Sequence, residues 1–407
     1  LPETIKDLNY AIGILIGYLL GSILPAYFMT KFLTGSDIRT LGNGNPGTTN
    51  VKREIGLFAA VITASYDTTK GLIAMAISLW IFKFPLFWVY MSGIGAIAGH
   101  LFPFYLKFKG GRGVATATGM LLVSLFEISV HMNFHVLIGD IIYLVFFVLC
   151  IYFTSSDENF LALTTLPVLS MLVIIRAGFS NVSLFAIILM TYIFVISMMN
   201  LKKLRILNLK DENVRLWRIF LRPASMSFVL LDFFMQRSAF LTLIGIVLAI
   251  FFFMDLIRLL SERVNISLTK KMGRFKIYKA KEAKRFSSMT LFLMGVFLIF
   301  IIFDRNTAVL SLGFLVFGDM AAKIIGISYG RRKIFKPLSK TVEGFLGFAA
   351  AAVSVSYFSW IFGIHPLWIS ICGAIIAAIV ESLPLSVDDN LSVPLLSGAI
   401  MTFFKMI

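Results

Sequence analysis

Acidic residues are scarce in this chain, cysteines scarcer still, and charge of either sign is thin. Cys150 and Cys372 are the only two cysteines in 407 residues, each inside an apolar run, which excludes a disulfide framework and a thiolate metal site. Charged residues make up 14% of the chain against 58% hydrophobic, with a mean hydropathy of +0.90, which excludes a soluble globule. With 37 Lys and Arg against 21 Asp and Glu, the formal charge is +16. In a soluble protein that excess would suggest nucleic acid. Membrane proteins collect cations in cytoplasmic loops, so no nucleic-acid partner is expected. No charged leader precedes the first apolar run, so insertion is expected to rely on the spans themselves. No repeat relates the two halves, so an inverted-repeat transporter is not indicated.

What the chain does have is long apolar runs, at about 10–33, 57–82, 86–106, 114–127, 135–154, 160–175 and 182–199. A second set follows near 219–235, 240–260, 289–303, 309–328, 345–362, 368–385 and 395–404. Most are long enough to cross about 30 Å of hydrocarbon. The expected fold is therefore all-α: a polytopic membrane protein of about fourteen helices in two fused bundles of about seven, 5–212 and 213–407. The polar stretch 200–218 is the expected seam. With the N-terminus outside, Lys31, Arg39, Lys52, Arg53, Lys107, Lys109, Arg112, Lys202, Lys203 and Arg205 all fall on the cytoplasmic side. The basic stretch 261–285 and Arg331, Arg332, Lys333, Lys336 and Lys340 fall there by the same count.

Two polar loops stand between the early spans. LGNGNPGTTNVKR (41–53) brings Gly42, Gly44 and Gly47, whose backbone amides can turn inward, together with Asn43, Asn45, Asn50 and Arg53. KFKGGRGVAT (107–116) repeats the theme with Gly110, Gly111, Arg112 and Gly113. Glycine amides beside cations are suited to phosphate, although one such loop alone could equally be a turn. Asp67 and Lys70 lie at i and i+3 inside a span, where a structural pair and a substrate contact both remain open. His100 is assigned a structural role.

These blocks, in this order, resemble the PlsY-type membrane glycerol-3-phosphate acyltransferases of bacteria over about 11–212. The resemblance implies acyl phosphate as donor, glycerol 3-phosphate as acceptor, lysophosphatidate and phosphate as products, and no organic cofactor. It implies Asn50, Arg53, Arg112 and Asn200 as catalytic residues. The residues Gly42, Asn43, Gly44, Asn45, Gly47, Lys70, Gly110, Gly111 and Gly113 are then expected to bind phosphate. The chain departs from the family pattern at Asn43, where a serine is expected, at Arg112 for lysine, and at Ser197 for histidine. These departures predict weak or absent acyl transfer.

In the second half, Asp319 and Lys323 lie one helical turn apart in a span, followed by Gly330, Arg331, Arg332, Lys333, Lys340 and Glu343. Glu381 and the Asp388–Asp389–Asn390 run bring more carboxylates. Cations for polyphosphate and carboxylates for Mg²⁺ are what phosphoryl transfer needs. The pattern, with Asp255, Arg258 and Glu282, resembles the dolichol kinase family, which includes CTP-dependent lipid kinases and is distantly similar to phosphatidate cytidylyltransferases. That implies CTP and a lipid alcohol or lipid phosphate as partners. Asp319 would be catalytic; Asp319, Asp388 and Asp389 would hold Mg²⁺; and Lys323, Gly330, Arg331, Lys340, Glu343 and Asn390 would hold nucleotide. Taken together, the expectation is a bacterial inner-membrane protein of phospholipid synthesis with cytoplasmic motif loops. Rival readings are a lipid-phosphate or phosphate transporter, and an active second half beside a binding-only first half.

Overall fold

A computed structural model describes residues 3–155, 157–203, 223–261, 285–335, 340–385 and 387–407. Part of the expected seam, the basic stretch 262–284 with Glu282, and Lys336 lie outside the described residues. The described chain is helical without strands; its one β-bridge joins Lys333 to Thr341. It divides into two compact units, Leu1–Leu144 with Glu158–Arg205 and Val145–Asp157 with Ile206–Ile407. Val145–Asp157 thus groups with the second unit, whereas the division at 212/213 would put it in the first.

The first unit starts with α1 (Glu3–Ser22) and α2 (Pro25–Thr34), with Pro25 opening the second helix where its missing N–H costs no bond. After α3 (Thr48–Glu54) comes α4 (Leu57–Ala76), which continues through a π-turn at Ile77–Ile81. Then follow α5 (Leu86–Leu101), α6 (Val114–Val130), α7 (Phe134–Thr154), α8 (Glu158–Ala177) and α9 (Asn181–Lys203). The close pair is α1 on α5. Gly17 and Gly21 lie against the backbone of Ser92 and Ala96, and Gly95 and Gly99 against that of Ile14 and Tyr18, so two four-residue glycine spacings face each other. Small residues let membrane helices approach until backbone meets backbone. Around this pair, Tyr90, Ile97, Met120, Phe185, Leu189 and Met190 build the core with α6 and α9.

The second unit's described helices are α10 (Ser227–Phe234), α11 (Arg237–Leu260), α12 (Ser288–Ile302), α13 (Arg305–Gly313), α14 (Asp319–Tyr329), α15 (Val342–Ile361), α16 (Leu367–Ser382) and α17 (Asp389–Met406). A π-turn at Phe314–Gly318 joins α13 to α14 immediately before Asp319. Leu310, Phe314, Phe348, Ala374, Val393 and Met401 form its largest core.

By length and composition, eight helical segments among the described residues suffice to cross a membrane, including Asn9–Thr34 and Arg305–Tyr329. Val114–Val130, Ser288–Ile302 and Leu367–Ser382 are apolar but shorter. In the described part of the run expected at 219–235, a 3-10 turn at Pro223–Met226 precedes a helix of 8 residues, Ser227–Phe234, and Met235 is extended.

Candidate functional site

In the first unit, loop residues 36–47 are shaped by their own side chains. Asp37 caps a 3-10 turn (Ile38–Thr40) by accepting from the Arg39 amide, and it also receives the Arg39 guanidinium, with Nη2 2.6 Å from Oδ2. That side-chain bond holds the Asp37 carboxyl below, and the Arg39 guanidinium above, their ordinary values. The remaining arm of Arg39 crosses to the second glycine loop, where Nη1 donates to Leu106 O at 2.9 Å and Lys109 O at 3.4 Å. One guanidinium therefore ties the two loops together.

Asn50 is 2% exposed and turned back onto its loop. Its Oδ1 accepts from the Asn43 amide at 3.2 Å, and its Nδ2 donates to Leu41 O at 3.0 Å. The Asn43 side chain in turn accepts from the Asn45 amide. Gly42 has φ 54°, and a Cβ there would run into Asn50 Oδ1, so the turn requires glycine. Asn50, expected to be catalytic, thus acts as the internal staple of the loop. It shapes the site through the backbone of 41–43.

The second loop packs directly over this one. A Cβ on Gly111 would collide with His100 Nε2 and stand 3.2 Å from Pro46 O, so Gly111 is the point of contact between the loops. Tyr192 of α9 donates its hydroxyl to Arg112 O from the other side. Lys107 and Phe108 enter the loop with φ 55° and 58°, a strained conformation for side chains with a Cβ.

Under the loops lies a buried ionic cluster. Lys70, 0% exposed, has its Nζ 2.9 Å from Asp67 Oδ1, 2.7 Å from His100 Nδ1, 2.9 Å from Gly21 O and 3.3 Å from Ile23 O. The carbonyls come from the break between α1 and α2, where helix geometry leaves them without partners. With its hydrogens engaged inside the protein, Lys70 does not reach a phosphate in the loops. The phosphate-binding assignment of Lys70 is corrected to a structural one.

Arg53, exposed at the end of α3, and Arg112, half-buried in the second loop, have guanidinium groups without an ion pair or hydrogen bond among the described residues. The arrangement is two touching glycine-rich loops with two uncompensated cations, which is chemically an oxyanion receptor.

A family model for glycerol-3-phosphate acyltransferase matches residues 11–206. The chain is 42% identical over 110 residues to glycerol-3-phosphate acyltransferase 1 of Dehalococcoides mccartyi, covering 27% of this chain and 53% of that protein. It is 39% identical over 133 residues to the glycerol-3-phosphate acyltransferase of Wolbachia pipientis, covering 33% of this chain and 67% of that one. Through residues 11–206, the chain belongs to the glycerol-3-phosphate acyltransferase family. It spans about half the length of most of the curated relatives it matches. A crystal structure of PlsY (YgiH), an integral membrane glycerol 3-phosphate acyltransferase in its glycerol 3-phosphate form, aligns over 48% of this chain and 91% of that one. The identity is 26% and the TM-score 0.39.

Within this acyltransferase-family unit, Gly42, Asn43, Gly44, Asn45, Gly47, Gly110, Gly111, Arg112 and Gly113 all lie in the two adjoining loops. Asn200 does not join them: its Nδ2 donates to Asn159 Oδ1 at 2.8 Å, about 12 Å along α9 from Tyr192. Ser197, the departure from histidine, is buried on the same helix. Sequence reasoning missed Arg39, whose reach to residue 106 leaves no mark in local spacing.

In the second unit, Asp319 is buried and pairs with Lys323 at 2.8 Å, as the i, i+4 spacing predicts. Glu343 accepts from the amides of Arg331 and Arg332 at 3.1 and 3.3 Å, folding the 330–335 loop onto the start of α15. The side chains of Arg331, Arg332 and Lys333 are exposed and make no hydrogen bond or salt bridge among the described residues, with Arg332 in the field of the Glu343 carboxylate. Lys340 is engaged: Nζ donates to Glu381 O and lies 3.0 Å from Asp389 Oδ2 and 3.6 Å from Glu381 Oε1. Its expected nucleotide role is therefore corrected to pinning the ends of α16 and α17. Asp388 caps α17, accepting from the Asn390 amide at 3.0 Å and Asn390 Nδ2 at 2.7 Å, which also occupies Asn390.

The expected Mg²⁺ set does not fit this geometry. Asp319 faces an ammonium, Asp389 faces another, and Asp388 is a helix cap. Among the described residues no three His, Cys, Asp or Glu side chains are grouped to hold a metal. Asp255 and Arg258 are likewise structural: Asp255 Oδ2 accepts from the Ser287 amide and the Thr290 hydroxyl, both at 2.7 Å, while its other oxygen pairs with Arg258.

Proposed function

We propose that the first unit transfers an acyl group from acyl phosphate to glycerol 3-phosphate. The hydroxyl oxygen of glycerol 3-phosphate forms the new bond to the acyl carbon. The bond from that carbon to the phosphate oxygen breaks, and the hydroxyl proton leaves with the departing phosphate. The products are lysophosphatidate and inorganic phosphate. The observation that carries this reading is the pair of adjoining glycine loops with unpaired Arg53 and Arg112 beside them. Both substrates are phosphates, so the protein's main tasks are to hold two anions and align a hydroxyl with a carbonyl. Arg112 keeps the charge of the family lysine and adds a fork able to grip two phosphate oxygens. Positive charge around both loops supports a cytoplasmic location for them at a bacterial inner membrane, where water-soluble glycerol 3-phosphate has access.

Arg53→Ala and Arg112→Ala should each raise KM for a phosphate substrate more than about tenfold, the loss of one charge-assisted contact. Phosphate release that depends on glycerol 3-phosphate, followed in purified protein, is the readout. Unchanged KM and kcat in both variants would refute the site.

For the second unit we propose CTP-dependent phosphotransfer to a lipid alcohol. The support is the resemblance to lipid kinases and the exposed cations of Arg331, Arg332 and Lys333, close in sequence to the buried Asp319. No metal-dependent step is assigned to it. Lipid-dependent consumption of CTP by the intact protein is the test; a protein that consumes no CTP with any lipid alcohol would retire the reading.

A further inference from the structure

The proposed reaction leaves one group at the base of the loops unused. An ammonium has hydrogens and no lone pair, so Lys70 Nζ, 2.7 Å from His100 Nδ1, is the donor and the ring nitrogen the acceptor. A neutral imidazole that accepts at Nδ1 carries its proton on Nε2. The ammonium that imposes this tautomer is itself fixed by Asp67 at 2.9 Å and by the carbonyls of Gly21 and Ile23. Asp67 Oδ1 is 3.5 Å from Nδ1, the longer of the two contacts there. The opposite edge of the ring faces Gly111, where a Cβ would strike Nε2 and would lie 3.2 Å from Pro46 O. Pro46 belongs to the first glycine loop and Gly111 to the second, so the Nε2–H is presented where they meet. His100 is 3% exposed, and Nε2 makes no hydrogen bond among the described residues. The ring is otherwise buried and Nε2 is not among the fully buried polar atoms, so its N–H is left open at the loop seam to an acceptor arriving with a ligand.

We propose that Asp67 and Lys70 are positioning residues that set the His100 tautomer, and that His100 Nε2–H is a fixed donor to a phosphoryl oxygen bound between the two glycine loops. The inference rests on the acyl-transfer reading, since the oxygen belongs to one of its two phosphate substrates, acyl phosphate or glycerol 3-phosphate. Arg53 and Arg112 supply charge on flexible stems. The imidazole supplies direction, because the ring is held by groups that are themselves buried and bonded. Gly111 is required by the same geometry, since any side chain there would displace the ring from the ligand.

Two variants separate the ring's two edges. His100→Asn keeps an acceptor near the Nδ1 position for Lys70 but lacks the reach of Nε2, whereas His100→Gln can place an amide donor near Nε2. Each is purified in detergent, with Tm as the measure of folding, calorimetry for the Kd of glycerol 3-phosphate, and steady-state KM for both substrates. His100→Asn should raise the constant for one phosphate substrate about tenfold at unchanged Tm, with His100→Gln within about threefold of wild type. The substrate whose constant moves is the one at the seam. Unchanged constants in His100→Asn overturn the proposal, as does equal loss in both variants at wild-type Tm. Failure of both to fold also overturns it, because the ring is then a packing group. A wild-type protein that binds neither phosphate substrate overturns the acyl-transfer reading and this inference with it.

Discussion

Arg39 uses Nε and Nη2 on Asp37 and Nη1 on the carbonyls of Leu106 and Lys109, so one side chain spans two loops that are far apart in sequence. Lysine carries the charge without the fork, and Arg39→Lys should therefore raise KM for a phosphate substrate several-fold, roughly the loss of one or two charge-assisted bonds, while leaving the protein folded. Its partner makes the arrangement pH-sensitive. The folded-state pKa of Asp37 is depressed, so its stabilisation is complete above the unfolded value of about 3.9 and is lost as pH falls through the folded value. Tm should fall more steeply below about pH 4 in wild type than in Asp37→Asn, measured by thermal unfolding across an acid series. Thr116, 0% exposed, has a hydroxyl with no hydrogen-bond partner among the described residues. Thr116→Val removes a desolvated polar atom at nearly constant shape and should leave stability unchanged or raise it by up to about 1 kcal/mol, read from denaturant unfolding. At this scale the sequence was legible where spacing along one helix decides a contact. Asp67 with Lys70 and Asp319 with Lys323 followed from i+3 and i+4. The union of Lys70 with His100, thirty residues on, did not, because it depends on how α4 packs against α5. For the same reason the ammonium that spacing offered to a phosphate turned out to be fully engaged inside the protein.

Glycine decides how closely α1 and α5 pack. A Cβ on Gly99 would overlap Tyr18 O, which is backbone and cannot swing aside. Gly99→Ala should therefore cost about 1–3 kcal/mol through forced separation of the helices. Gly35→Ala is the contrasting case: φ is 74°, but nothing among the described residues lies within 4 Å, so only the left-handed strain of about 1–2 kcal/mol is expected. Chemical denaturation of the two variants in one detergent should show the larger loss, and a disturbed loop site, only for Gly99→Ala. Helix existence was legible from apolar runs because a lipid-facing helix needs no alternation to betray it. Helix ends were less so. The start of α17 is set by the Asp388 side chain capping the Asn390 amide, and that cap converted an expected metal ligand into a helix signal. In the described part of the run at 219–235, hydropathy does not register the 3-10 turn at Pro223–Met226.

Over the whole molecule, the two units have separate cores and separate candidate sites, and their proposed reactions share no side chain. Asp319→Asn should abolish lipid-dependent CTP turnover while acyl transfer in the same preparation stays at the wild-type rate. Lys323 is 41% exposed and can turn toward water when its partner is neutralised, so Tm should change little. Loss of both activities together would mean the substitution unfolds the chain. The expected division into two bundles was drawn from the long polar stretch between apolar sets, most of which lies outside the described residues. The grouping of Val145–Asp157 with the second unit was not legible, because apolar segments carry no record of which neighbours they choose.

The ammonium of Lys70 also bears on how the chain enters the membrane during synthesis. Leu57–Ile81 is absent from the helices apolar enough to cross unaided, and it carries Asp67 and Lys70 in its middle. Each such charge opposes insertion by about 2.5–3.5 kcal/mol. Relief comes from Gly21 O and Ile23 O, already translated when α4 emerges, and from His100, which is made later. Alpha-4 should therefore pause at the translocon until α5 follows, and the two should partition as a hairpin against α1. Glycosylation mapping of nascent chains should find α4 poorly inserted when synthesis stops before residue 86 and well inserted once it passes residue 106.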